Sequence, residues 1–238
     1  MSLREKLDEQ WRRTRSEEIR HGYEALVAQL VASGMTEASL KAGDRTPEFE
    51  LPSVDGRLVS SEELLGRGPL VLSFFRGGWC PYCALELGAL QEALPDIEAR
   101  GASAAAITPD TGAAFAAVKR DNRLDFDILS DLDYGLALLF GIVFKLPDAI
   151  RDRYLRFGID LGARHGNRHA WLLPVPATYI VDRHGIITHA NVDPDFRRRM
   201  EPSEIIKVLD RMQPDPASRG DVKLVGEVSG SGQPQKGV

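Results

Sequence analysis

The chain contains two cysteines, Cys80 and Cys83, separated by Pro81 and Tyr82. Thiol exchange needs a thiolate that attacks and a neighbouring thiol that resolves the mixed bond, and this pair supplies both. Residues on either side show what would hold it. Leu70 to Phe75 is an apolar run, too short for a helix and rich in residues that suit a pleat. Gly77 and Gly78 break it, and Pro81 suits the first turn of a new helix, where its missing N–H is not needed. Leu87, Leu90, Leu94 and Ile97 then recur at offsets of 3, 4 and 3 along one helical face, with Gly101 as a stop. A strand thus runs through a loop into a helix, with both thiols at the corner. Cys80 is expected to sit exposed at the helix N-terminus, where free N–H groups and the macrodipole favour a thiolate. Cys83 lies one turn on, close enough to close a small disulfide ring. Trp79 is expected to shield one side of the first sulfur, and Arg76 to supply a local positive charge.

The elements that must position this corner follow from the rest of the chain. Residues 1–39 read as a helical extension in which Leu3, Leu7 and Trp11, then Ile19, Tyr23, Leu26 and Leu30, form an apolar stripe ending at Gly34. That stripe must be covered, either by the chain's own main domain or by a second copy in a homodimer. Val54-Asp55-Gly56-Arg57 has the residues of a hairpin turn. Ala102 to Thr108 reads as a strand, so strand, cysteine helix and strand form a βαβ unit with parallel strands. Helices are expected over Asp110 to Asp121, with Phe115 and Val118 inward, and over Asp131 to Phe140, carrying Leu132, Leu136 and Leu139. Phe126 to Leu129 reads as a short strand between them, and residues 147–163 as a basic helix. Ala177 to Val181 and Ile186 to Ala190 flank the turn Asp182-Arg183-His184-Gly185, and Glu201-Pro202 to Met212 reads as a closing helix. From Gln213 to Val238 Pro, Gly, Ser and Gln dominate, the composition of a flexible tail.

Composition narrows the function classes. The 238 residues are ample for a sizeable core. A formal net charge of -5 gives no reason to expect a nucleic acid partner. No apolar run approaches the roughly 18 residues of a membrane span, and the charged N-terminus has no signal-peptide core. A cysteine pair without an export signal points to catalysis or metal binding in the cytoplasm.

The segment F-F-R-G-G-W-C-P-Y-C, followed by a helix and then V-P-A-T-Y-I-V-D-R-H-G-I-I, resembles the thioredoxin superfamily. With G-D-R-T-P-E-F-E-L-P, F-D-I-L-S-D and F-G-I-V-F added, the pattern resembles the alkyl hydroperoxide reductase/thiol-specific antioxidant (peroxiredoxin-like) family over residues 40–212. The resemblance implies an α/β thioredoxin-like fold, a central mixed β-sheet flanked by helices. It also implies a thiol-dependent oxidoreductase or peroxidase of redox homeostasis, with Cys80 and Cys83 at the active site and a cis Val175–Pro176 bond facing them. Peroxide or disulfide would be the substrate and a thioredoxin-, glutaredoxin- or glutathione-like donor the reductant, with no organic cofactor. In the family's P-x-x-x-[TS]-x-x-C pattern the peroxidatic Cys matches Cys83, the Thr matches Cys80 and the Pro matches Arg76. The family's peroxide-binding Arg matches Pro176. Thioredoxin-like logic therefore favours Cys80 as nucleophile and the peroxiredoxin pattern favours Cys83.

Two other classes stand beside this reading. C-x-x-C is half a zinc site, which His165 and His169 would complete; a surface histidine pair is the blander account of those two. A thioredoxin-like fold also serves as a non-catalytic interaction protein. Arg197-Arg198-Arg199 reads as a solvated basic run.

Overall fold

The computed structural model describes residues 1–166 and 171–213. Helices α1 (Leu3–Arg12), α2 (Glu17–Ala32) and α3 (Met35–Ala38) precede an antiparallel hairpin of β1 (Glu50–Pro52) and β2 (Leu58–Ser60). Next come α4 (Ser61–Gly66), β3 (Leu70–Phe74), α5 (Pro81–Glu98), β4 (Ser103–Thr108), α6 (Gly112–Asn122), β5 (Asp127–Ser130) and α7 (Gly135–Leu139). Then follow β6 (Val143–Lys145), α8 (Asp148–Arg156), α9 (Leu161–Arg164), β7 (Leu172–Pro174), β8 (Ala177–Val181), β9 (Ile187–Val192) and α10 (Pro202–Met212). None of the described helices is long and apolar enough to cross a membrane.

The central sheet has the order β5-β4-β3-β8-β9. β3, β4 and β5 are parallel, while β8 runs antiparallel to both of its neighbours, β3 and β9, so the sheet is mixed as expected. β3 is buried at every position. Its alternating side chains serve two cores: Val71 and Phe75 pack with α5 and α10, and Leu70, Leu72 and Phe74 pack against α7 and α8. Both the βαβ unit and the hairpin around Asp182–Gly185 form where the sequence predicts them.

The N-terminal stripe is covered by this chain itself. Leu3 and Leu7 join the core on the α5 side, and Leu26 and Leu30 join the opposite one. The stripe is not one helix, however. It breaks after Arg13, and Ser16 restarts it by accepting the Ile19 N–H at 3.4 Å. α1 is held at its start by Glu201, whose carboxylate accepts the N–H groups of Leu3 (3.2 Å) and Arg4 (2.7 Å).

Three further expectations are corrected. The helix expected from Asp131 begins only at Gly135, because the Asp131 carboxylate accepts the N–H groups of Leu136 and Ala137 at 3.1 and 2.8 Å. Leu136 is then buried while Leu132 and Leu139 face out. The basic helix over 147–163 splits into α8 and α9, with Gly158 at a φ of +72° between them. Arg199 is not solvated: it is buried in an ion pair with Glu86, although Arg198 is exposed. The expected tail from residue 214 onward and His169 lie outside the described residues.

Candidate active site

Strand β3 delivers the chain to the site, and Phe75 extends its ladder by donating its N–H to the Ile107 carbonyl at 2.9 Å. The loop then turns at Gly77, whose φ of +141° favours glycine. A Cβ there would fall 2.5 Å from Trp79 Nε1 and 2.8 Å from Asp110 Oδ2, so the position has no room for a side chain. Gly78 donates its N–H to Asp110 Oδ2 at 2.7 Å, and Cys80 donates its N–H to the Gly77 carbonyl at 3.2 Å. Cys80 is the N-cap of α5, Pro81 is its first residue and Cys83 lies in its first turn, the arrangement expected from the sequence.

Both thiols are free, and both are buried, at 1% exposure for Cys80 and 0% for Cys83. The expectation of an exposed Cys80 is thereby corrected. The cause is an aromatic cover that sequence spacing does not reveal. The Tyr82 and Phe196 rings lie 5.2 Å apart, as do Phe196 and Tyr23 of α2, and Trp79 packs on Tyr154 at 5.1 Å.

Arg76 sits inside that cover. Its Nη2 donates to the Cys80 sulfur at 3.0 Å, and its Nη1 lies 3.5 Å from the Tyr154 hydroxyl. The guanidinium is stacked 4.3 Å from the Phe196 ring centroid and 5.2 Å from that of Trp79. Burial opposes its charge, but Cys80, Tyr154 and Cys83 around it raise its pKa, so it stays a cation. Arg76 occupies the place of the family pattern's Pro.

The two thiols differ. Burial pushes the Cys80 thiol up, but hydrogen bonds from the Cys83 side chain and backbone, with the charges of Arg76 and Arg199, hold it well below the ordinary range. Burial, and then the hydrogen bond and charge of Cys80, push Cys83 well above it. The surroundings thus favour negative charge on Cys80 over Cys83. Burial, followed by the Cys80 charge, raises Tyr82 to about 12 and keeps its hydroxyl neutral.

Sequence reasoning missed several residues here. Glu86 is buried on the inward face of α5, accepting from Arg199 Nε at 2.7 Å and from Thr178 Oγ1 at 3.5 Å. A carboxylate one turn after Cys83, on the face that carries Leu87 and Leu90, is the signal that could have found it. Asp110, 0% exposed, joins the site through Gly78 and binds Arg164 Nε at 3.1 Å. Burial raises its pKa against the pull of Arg164 and the Gly78 N–H.

Val175 and Pro176 are both buried, and the β3–β8 register puts Pro176 beside Phe75, at the sheet end that carries the thiol loop. The expected cis bond is absent: every peptide bond among the described residues is trans. Between β7 and β8 the Val175 N–H is paired with the Ile142 carbonyl at 2.7 Å.

His165 does not form a surface pair. It is buried, with Nδ1 at 2.5 Å from the Tyr134 hydroxyl and Nε2 at 3.7 Å from Asp110 Oδ1. Tyr134 donates to the Leu172 carbonyl at 2.6 Å, so the consistent tautomer has His165 Nδ1–H donating to Tyr134. Among the described residues no group of three or more His, Cys, Asp or Glu is placed to hold a metal.

Comparison with known proteins adds the family and the fold. The chain is 29% identical to peroxiredoxin Bcp of Escherichia coli (strain K12) over 103 residues, 43% of this chain and 65% of that protein. A putative peroxiredoxin of Mycobacterium tuberculosis is 30% identical over 103 residues, 43% of this chain and 67% of its own. The first of these matches thus spans just under two thirds of the relative's length. Among solved structures, peroxidoxin BcpB of Mycobacterium tuberculosis superposes with a TM-score of 0.58 at 21% identity, covering 74% of this chain and 99% of its own. Peroxiredoxin 6 of Arenicola marina gives a TM-score of 0.56 at 22% identity, covering 73% of each chain. These structures share the mixed sheet and flanking helices of the thioredoxin-like peroxiredoxin fold. The sequence profile of the AhpC/TSA family matches residues 42–190, and the chain belongs to that family.

Proposed function

We propose that the protein is a thiol-dependent peroxidase in which Cys80 attacks and Cys83 resolves. The observation that carries this reading is the asymmetry of the buried pair. Arg76 Nη2 lies 3.0 Å from the Cys80 sulfur, while the Cys83 proton is held toward it. The Cys80 thiolate attacks the terminal oxygen of a hydroperoxide and the O–O bond breaks. The alkoxide or hydroxide leaves and takes a proton from solvent to become alcohol or water, and the sulfur becomes a sulfenic acid. Cys83 then attacks that sulfur, the S–S bond forms, and the expelled hydroxide takes the Cys83 proton to leave as water. Two electrons from a thioredoxin-, glutaredoxin- or glutathione-like thiol donor restore the dithiol. Arg76 provides the fixed charge that Pro176 cannot, and the aromatic cover favours a small hydroperoxide over a protein disulfide as the first reactant.

The test is single-turnover oxidation of each Cys→Ser variant by hydrogen peroxide, with thiol counting. Wild type should lose two thiols per chain without forming intermolecular dimers. Cys80→Ser should be inert, and Cys83→Ser should stop at one sulfenic acid or mixed disulfide. Rapid oxidation of Cys83 in Cys80→Ser, with Cys80 inert in the other variant, would reverse the assignment and make Cys83 the peroxidatic residue.

A further inference from the structure

We propose that Arg199 and Glu86 form a positioning pair that fixes a second positive charge on the dithiol and sets how much of it Cys80 feels. This rests on the reading of Cys80 as the attacking thiolate. Arg199 lies beyond β9, in the segment that leads to α10, whereas Glu86 belongs to the cysteine helix itself. The two meet at 2.7 Å, with side chains 2% and 6% exposed. A buried ion pair of this kind is weak evidence of stabilisation, because desolvation offsets most of the attraction. It calls for another account.

Two observations mark this pair out, and the second links it to the Cys80 sulfur. First, Arg199 uses Nε on Glu86 and Nη1 on the carbonyls of Phe196 and Arg198, while its buried Nη2 makes no hydrogen bond among the described residues. A full guanidinium charge is thus held in the core with one face unspent. Second, the grip on the Phe196 carbonyl seats the Phe196 ring 4.3 Å from the Arg76 guanidinium, which in turn contacts the Cys80 sulfur. Glu86, Arg199, Phe196, Arg76 and Cys80 therefore form one continuous chain of contacts, from a carboxylate to a thiolate.

The charges in this region are few. Arg76, Arg199 and the Cys83 thiol favour the Cys80 thiolate. Glu86 and Asp110, from α5 and the end of β4, are the carboxylates that feel its charge, and Tyr82 and Tyr154 feel it as neutral hydroxyls. Within this set Glu86 is the carboxylate bonded directly to one of the two cations, so it moderates that cation.

The test is a pH titration of the Cys80 thiolate by its ultraviolet absorbance, all in a Cys83→Ser background and without peroxide. It therefore reads the charge on sulfur whether or not the protein turns out to be a peroxidase. Arg199→Met should move the midpoint up and Glu86→Gln should move it down, each by about one pH unit, roughly a tenfold change in the thiolate-to-thiol ratio. Opposite signs are what an electrostatic role requires. A merely structural pair would disturb the site in the same direction whichever partner is lost. Shifts of the same sign, or none, would overturn the proposal. Should Arg199→Met fail to fold with Glu86 left buried and unpaired, the double variant Glu86→Gln/Arg199→Met carries a neutral pair. Its midpoint should lie above that of Glu86→Gln alone, and coincidence of the two would equally refute the proposal.

Discussion

Replacing Arg76 with methionine is the sharpest test of how Cys80 is activated. The substitution keeps much of the buried volume and removes the cation 3.0 Å from the sulfur. Coulomb's law at that distance, with an effective dielectric constant of about 20, sets a ceiling of roughly 5.5 kcal/mol. The loss should be smaller, because the hydrogen bond from the backbone of residue 83 and the Arg199 charge remain. A hydrogen bond to a charged group is worth about 1.5–3 kcal/mol, which corresponds to a rise of about 1–2 units in the thiol pKa. Measured by ultraviolet thiolate absorbance in a Cys83→Ser background, the Cys80 midpoint should climb by that amount. The rate of oxidation by hydrogen peroxide at neutral pH should fall at least with the thiolate fraction. Arg76→Lys should fall between, since it keeps a charge but loses the planar stacking against Phe196 and Trp79. An unchanged midpoint in Arg76→Met would refute the reasoning and leave the helix terminus and the Arg199 charge as the sources of activation.

Two further outcomes follow from the geometry around the loop. Gly77→Ala places a Cβ against Trp79 and Asp110 at a φ of +141°, so it should destabilise by more than about 1 kcal/mol in chemical denaturation and slow peroxide turnover. No effect on either would mean that the loop relaxes freely. His165 is held neutral, its pKa lowered by burial and then by Arg164 from 6.5 to about 4. In that window the unfolded chain binds a proton that the folded chain does not. Stability should therefore be full above pH 6.5 and fall as pH drops toward 4, by up to about 3 kcal/mol. His165→Gln should flatten that part of the stability profile, and an unchanged slope would show that other groups cause it.

The local features of this protein could be read from its sequence, and they were largely correct. A short apolar run, two glycines and a proline at the head of an amphipathic helix define the strand–loop–helix corner and place both cysteines on it. These signals act between neighbours, through backbone freedom, side-chain periodicity and the geometry of a helix start. The βαβ unit and the closing hairpin are legible for the same reason. Local signals also misled: Leu132 and Leu139 fit the spacing of an inward face, but Asp131 delays the helix until Gly135. What only the tertiary structure decided is the electrical and solvent environment of the sulfurs. Arg199 looks like the last of three surface arginines until the fold brings it to Glu86, 113 positions away. Cys80 looks exposed at a helix terminus until the fold buries it, with Tyr154 and Phe196 arriving from separate segments to enclose the Arg76 that contacts it. The bond before Pro176 looks cis by family resemblance, yet the path from β7 to β8 is trans. Burial and charge pairing depend on which distant residues are brought together, and no spacing along the chain encodes that.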